Sequence, residues 1–146
     1  MYTIGQVSKM FNLPISTLRY YDKQGLFPQM ERISGIRKFS DNEIEALRVI
    51  ECLKKSGLEI RDIKRFMDMC AQGPSTYSAR RELLLRQKEQ TEAEILRMNK
   101  ALDMLKYKCW YYEQAIKLGS TEEVKAMIPD SLPDEIRAAY DNSHDL

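Results

Sequence analysis

Ile4, Val7, Met10 and Phe11 recur at helical spacing in an otherwise polar opening, and predict a first helix with one buried face. A capping pair introduces it: Thr3 is placed to accept from the Gln6 backbone N–H, and the Gln6 side chain to reach back. Asn12-Leu13 breaks the pattern, and Pro14 suits the first turn of a second helix, roughly Pro14 to Gln24, which stops at Gly25. Two short helices around a tight turn predict a helix-turn-helix. Past Gly25 the period changes. Short β-type runs flanking Ser34-Gly35 predict a hairpin with Arg32, Arg37 and Lys38 on its arms, in the position of a wing. Helical spacing resumes after Ser40, placed to cap a helix over 41–55 with Ile44, Leu47, Ile50 and Leu53 inward. Ile60, Ile63, Phe66 and Met67 mark another from about Glu59 to Cys70, and this pair supplies the core that holds the first two helices.

Gln72-Gly73-Pro74-Ser75 is a turn, and from Ser75 to Gly119 there is neither Gly nor Pro, so this stretch predicts one long helix. Over 84–116 it fits a heptad. Leu84, Thr91, Met98, Leu105 and Tyr112 fall seven apart; Lys88, Ile95, Leu102, Cys109 and Ile116 do the same, offset by four. The seam is weak before Ile95 and apolar after it. A lone helix would leave such a stripe in water, so a second copy is the simplest partner, and folding back onto the chain's own head is the alternative. Heptads do not tell parallel from antiparallel. After Ser120, Met127, Ile128, Leu132 and Ile136 suffice for one or two short helices. The expected class is mainly α. A winged helix-turn-helix domain covers 1–72, a dimerisation coiled-coil helix 75–119, and a short acidic tail, partly helical, 120–146.

Charge sharpens this division. The 146 residues carry 23 Lys+Arg against 22 Asp+Glu, a balance that argues against nucleic acid until it is counted by segment. Residues 1–40 hold six basic and two acidic side chains, residues 71–119 nine and six, and residues 120–146 two and seven. A basic head and an acidic tail point to a nucleic-acid-facing end. No apolar run nears the ~20 residues of a membrane span and no signal-peptide pattern opens the chain, so a cytosolic address with reduced cysteines is expected. Cys52, Cys70 and Cys109 form no C-x-x-C pair and have no histidine near them, which argues against a metal site. No nucleophile–base pair or Gly-rich phosphate loop points to an enzyme, and no cofactor is expected.

The second helix carries the chemistry. Ser16, Thr17, Arg19, Tyr20, Tyr21 and Lys23 place hydroxyls, a guanidinium, phenols and an ammonium within eight residues. Arginine reads guanine in a major groove, while Tyr, Ser and Lys hold phosphates. The plainer alternative has Leu18 and one tyrosine packed and the rest solvated. The order helix, polar helix, basic hairpin favours a DNA-reading head. A coiled-coil scaffold without DNA readout accounts for the long helix but leaves this head unexplained.

Tyr2-Thr3-Ile4-Gly5-Gln6-Val7, then Thr17-Leu18-Arg19-Tyr20-Tyr21-Asp22 and Gly25-Leu26, resemble the opening of MerR-family transcription regulators. Gly35-Ile36-Arg37-Lys38-Phe39 is similar to the family's Gly-aromatic-Arg-x-Tyr wing strand. Ile50 to Ile60 resembles its second helix pair. The resemblance covers residues 1–119, about four fifths of the chain. Three positions depart from it: Pro14 stands where Ser or Thr is common, Ser16 where a basic residue is common, and Ile36 where the wing has an aromatic. The resemblance implies a homodimer whose antiparallel long helices space two heads along a pseudo-palindromic promoter with an overlong spacer, distorting it so that RNA polymerase engages. Arg19 would then read bases, Ser16, Thr17, Tyr20, Tyr21 and Lys23 would hold the register, and Arg32, Arg37 and Lys38 would grip from the wing.

The input is less defined. The family's metal sensors use cysteines near the end of the long helix and just beyond; here only Cys109 lies there, so metal sensing is not expected and Cys109 reads as a small core residue. Cys52 has Arg48 at i−4 and Lys55 at i+3, cations that would favour its thiolate. One branch of MerR-like proteins, responding to aldehydes or nitrosative stress, has a cysteine at a similar place. A half-buried inert thiol is the alternative. Tyr107 and Trp110-Tyr111-Tyr112 read as packing anchors, with an effector pocket as the alternative, and His144 has no expected role.

Overall fold

The computed structural model describes all 146 residues, and it is mainly helical, at 73%. In chain order come α1 (Ile4–Phe11), α2 (Ile15–Lys23), β1 (Glu31–Ile33), β2 (Ile36–Lys38), α3 (Asp41–Lys55) and α4 (Ile60–Gln72). A 3₁₀ turn over Pro74–Thr76 then leads into α5 (Tyr77–Leu118), followed by α6 (Thr121–Ala126) and α7 (Asp134–Ser143).

Two compact units, Met1–Glu89 and Gln90–Leu146, divide within α5 and not at Gly73, where turn residues place the end of the head. The reason is that the first turns of α5 belong to the head core. Leu83 packs against it, and the buried Gln87 donates from Nε2 to the Ser56 carbonyl at 2.5 Å. The joint between α4 and α5 is also tied: Thr76 Oγ1 donates to the Met69 carbonyl at 2.6 Å, and Arg80 to that of Gly73 at 2.7 Å.

Within Met1–Glu89, local rules place most elements. The capping box on α1 is complete, with Gln6 N donating to Thr3 Oγ1 at 3.2 Å and Thr3 N to Gln6 Oε1 at 2.8 Å. Asn12 ends the helix in the left-handed region (φ 52°), a conformation its short polar side chain tolerates. Pro14 precedes α2 as its N-cap residue and does not enter the first turn. The wing turns on Ser34 (φ 53°) and Gly35 (φ 77°), the two positive φ values of a tight type I′ hairpin. Its base is joined to the chain's start by paired Tyr2 and Phe39 backbones, at 2.7 and 2.9 Å. Ser40 occupies the N-cap position of α3, but its hydroxyl donates to the Glu43 carboxylate and accepts no backbone N–H of the helix. Val7, Leu18, Tyr21, Phe39, Leu47, Ile50 and Ile63 meet at the centre of this core.

Within Gln90–Leu146, the tail folds back on the end of α5. Tyr107, Trp110 and Tyr111 pack with Val124 and Leu132, and Tyr140 meets the Tyr107 ring edge-on at 5.0 Å. The aromatic run is therefore a packing anchor, except for Tyr112, which stays exposed. His144 acquires a structural part: its ring stacks on Tyr140 at 4.0 Å, and Nδ1 lies 2.8 Å from the Tyr140 carbonyl. Asn142 donates to Asp103 at 2.6 Å, and Lys100 pairs with Asp145.

The heptad positions stand outside both cores. Leu84, Ile95, Met98, Leu102, Leu105, Tyr112 and Ile116 are all exposed in the single chain. Thr91 is partly covered. Cys109 is exposed among them and is no core residue of one chain.

Candidate nucleic-acid interface

Helix α2 is split cleanly by its own periodicity. Leu18 and Tyr21, three residues apart, face the core, and the C-terminal turn is closed by Gly25 at φ 80°. The positive φ is what calls for glycine here, since a Cβ at Gly25 would meet only the movable end of the Lys64 side chain, Cε at 3.1 Å. Ser16, Arg19, Tyr20 and Lys23, at i, i+3, i+4 and i+7, share the exposed face, with half-covered Thr17 at its margin. This face is a compact set of one guanidinium, one ammonium, one phenol and a hydroxyl, free to meet a groove.

Tyr21 must be taken out of that set. Its residue is 1% exposed, and its hydroxyl donates to Glu51 Oε1 at 2.7 Å while accepting from Lys54 Nζ at 3.0 Å. The Lys54 ammonium also lies 5.4 Å from the centre of the ring. Burial pushes the Tyr21 phenol up, partly offset by the Lys54 hydrogen bond, and the same bond raises Lys54. Phenol and ammonium thus keep their protons at neutral pH, and the pair clamps α2 onto α3. The sequence reading gives both tyrosines to DNA, and only its plainer alternative packs one of them; the spacing from Leu18 selects Tyr21 for the core and leaves Tyr20 exposed.

The wing cations are also less free than the sequence implies. Arg32 and Arg37 are cross-strand partners, and both donate to Oδ2 of Asp22, at 2.6 and 2.7 Å. The Asp22 side chain is 13% exposed, Arg37 23% and Arg32 50%. Arg37 is therefore mostly covered and tied to Asp22, and is the less presented of the two. Arg32 is partly available, and Lys38 is half-buried. Asp22 enters the sequence reading only within the Thr17–Asp22 motif, and the structure makes it the acceptor for both wing arginines. The signal for this is a lone carboxylate in a basic helix that precedes a basic hairpin.

Cys52 is exposed on α3, not half-buried. Its i−4 neighbour Arg48 is engaged elsewhere, 3.8 Å from Glu45 and 5.5 Å from the centre of the Phe11 ring. Cys52 follows Glu51 directly and sits two residues before Lys54, the pair that clamps Tyr21. The three cysteines are free, no group of three His, Cys, Asp or Glu side chains is assembled, and no helix is long and apolar enough to cross a membrane.

Residues 2–70 match the MerR HTH family of regulatory proteins. An HTH-type transcriptional regulator of Haemophilus influenzae is 34% identical over 132 residues, spanning 89% of this chain and 98% of its own length. The chain belongs to the MerR family. Among solved MerR structures, HiNmlR, described as lacking the sensor domain and bound to promoter DNA, has 34% identity and a TM-score of 0.74, over 84% of this chain and 98% of its own. A MerR regulator of Bacillus thuringiensis gives 42% identity and a TM-score of 0.69, over 74% of this chain and 96% of its own. The transcriptional regulator AdhR of Bacillus subtilis is 37% identical over 82 residues, 56% of this chain and 59% of that relative. The chain is thus a MerR transcription regulator and not an enzyme, with the family's winged head and long helix.

Proposed function

We propose that this MerR regulator binds promoter DNA as a homodimer, with Arg19 reading base edges from α2. The observation that carries this reading is the exposed face of Ser16, Arg19, Tyr20 and Lys23, held rigid from behind by Leu18 and the Tyr21 clamp. Ser16, Thr17, Tyr20 and Lys23 set the register on phosphates, with Arg32 and Lys38 gripping from the wing. Copies pair through the α5 seam of Leu84, Thr91, Ile95, Met98, Leu102, Leu105, Cys109, Tyr112 and Ile116; all of these but the partly covered Thr91 are exposed in one chain, which supports a partner. Two heads at fixed separation can then bend or untwist a pseudo-palindromic promoter until RNA polymerase engages it. Such a protein works beside the chromosome, which gives it a cytosolic address. The promoter complex of a relative 34% identical over nearly its full length supports the DNA partner.

Arg19→Ala tests the base reader. Affinity for an operator selected by the wild-type protein should fall by about 1–3 kcal/mol, with random duplex little changed. If specific and random DNA still differ as before, Arg19 is not the reader. For the input, Cys52 is the candidate: an adduct on this exposed thiol would sit beside the Glu51 and Lys54 clamp on the recognition helix. Reporter transcription in the presence of an aldehyde or a thiol oxidant should lose its response in Cys52→Ser. A retained response removes Cys52 from the input.

A further inference from the structure

A carboxylate on a DNA-facing surface opposes phosphate, so its presence there calls for a compensating task. Asp22 has one within reach. A single oxygen of it takes charge-assisted hydrogen bonds from both strands of the wing, Arg32 on β1 and Arg37 on β2. The hairpin's other anchors all lie at its base, where Phe39 is buried, Met30 packs on the core and the Tyr2 and Phe39 backbones pair. Its tip residues Ile33 and Ile36 are exposed, so along the arms the Asp22 tie is what holds the wing to α2. The two arginines are unequal: Arg37 is largely covered beside Asp22, at 23% exposure, while half of Arg32 faces water.

We propose that Asp22 is a positioning residue that sets the wing against the recognition helix and divides its arginines, holding Arg37 as a permanent tie and Arg32 as a contact exchangeable for a DNA phosphate. The proposal rests on the DNA-binding reading above. A phosphate wins Arg32 only by displacing it from Asp22, so only a duplex whose backbone passes beside α2 in the right register gains that contact. Arg37 stays on Asp22 throughout, and the carboxylate is never left unpaired. The acid therefore lowers affinity for arbitrary DNA and widens the gap between an operator and other sequence.

The test uses the full chain. In Asp22→Asn without DNA, wing backbone amides should exchange hydrogen faster while those of Val7 and Leu18 do not change. In a salt series, the slope of log K against log salt should steepen by roughly 0.9 for each arginine released. The preference for a wild-type-selected operator over random duplex should drop by about tenfold. Glu45→Gln, an equal charge change at an exposed side chain of α3, should do neither. Two further variants separate positioning from simple support: Arg32→Gln should make the salt slope shallower by roughly 0.9, whereas Arg37→Gln should leave it unchanged while loosening the wing. Unchanged wing exchange in Asp22→Asn, an unchanged operator preference, or a slope loss in Arg37→Gln equal to that in Arg32→Gln would each overturn the proposal. Should Asp22→Asn fail to fold, the two arginine variants decide it. A wild-type protein that binds no duplex sinks the DNA reading instead, and the exchange measurement still reports on the tie.

Discussion

The head and the seam of α5 handle apolar surface in opposite ways. In the head, Leu18, Leu47, Ile50 and Ile63 are shut off from water by helices of the same chain, and even the opening turns of α5 are drawn in. Along the seam, Ile95 is 54% exposed, Met98 71% and Ile116 82%. One region completes its core within a single copy; the other leaves a stripe that only another surface can cover. Stability of the first should be independent of protein concentration, while that of the second should be set by it.

Substitutions can break or sharpen this contrast. The largest effect should come from Leu47→Ala, which opens a cavity in the head and costs about 2–5 kcal/mol in urea unfolding. That loss should be the same at dilute and at high protein concentration. Leu105→Ala removes a seam side chain and should weaken association by about 1.5–3 kcal/mol in sedimentation equilibrium, leaving the monomer's helix content intact. A concentration-independent loss at Leu105 would place it in the chain's own core and remove the contrast.

Tyr21→Phe deletes the hydroxyl between Glu51 and Lys54 and should cost the head about 1 kcal/mol. It also carries a pH signature. The folded-state Tyr21 pKa lies above its ordinary value, so the unfolded chain loses this proton first. The stabilisation is present below about pH 10 and is lost as pH rises through the folded value. Wild-type unfolding curves should therefore decline more steeply above that pH than those of Tyr21→Phe. Smallest of all, Asp145→Asn removes an exposed partner of Lys100 and should shift unfolding by about 0–1 kcal/mol.

What the sequence makes legible is what neighbours along the chain decide. The Thr3–Gln6 cap, the Ser34-Gly35 turn and the helix periods are local, and the structure follows them. The Leu18–Tyr21 spacing carried the information on which tyrosine is buried, but a polar helix read only for its chemistry hides it. The tie from Asp22 to Arg32 and Arg37 spans ten and fifteen residues and depends on how the hairpin leans on α2. No window of sequence contains that. The same holds for Gln87, a polar side chain in a polar helix whose burial depends on the end of α3. The tail's docking was half visible: its apolar residues foretold short helices, while the receiving surface of Tyr107, Trp110 and Tyr111 was recognised only as packing of unstated partner.

Gln87 has a mechanical meaning. It keys the opening turns of α5 to the Ser56 carbonyl at the C-terminal cap of α3, much as a pin fixes a shaft to a gear. Successive side chains on a helix point about 100° apart, so rolling α5 by a single residue swings the amide out of its seat. Torque applied to the opening turns of α5 therefore reaches α3, the helix that bears Cys52 and clamps α2, unless the Gln87 bond and the Leu83 packing beside it give way.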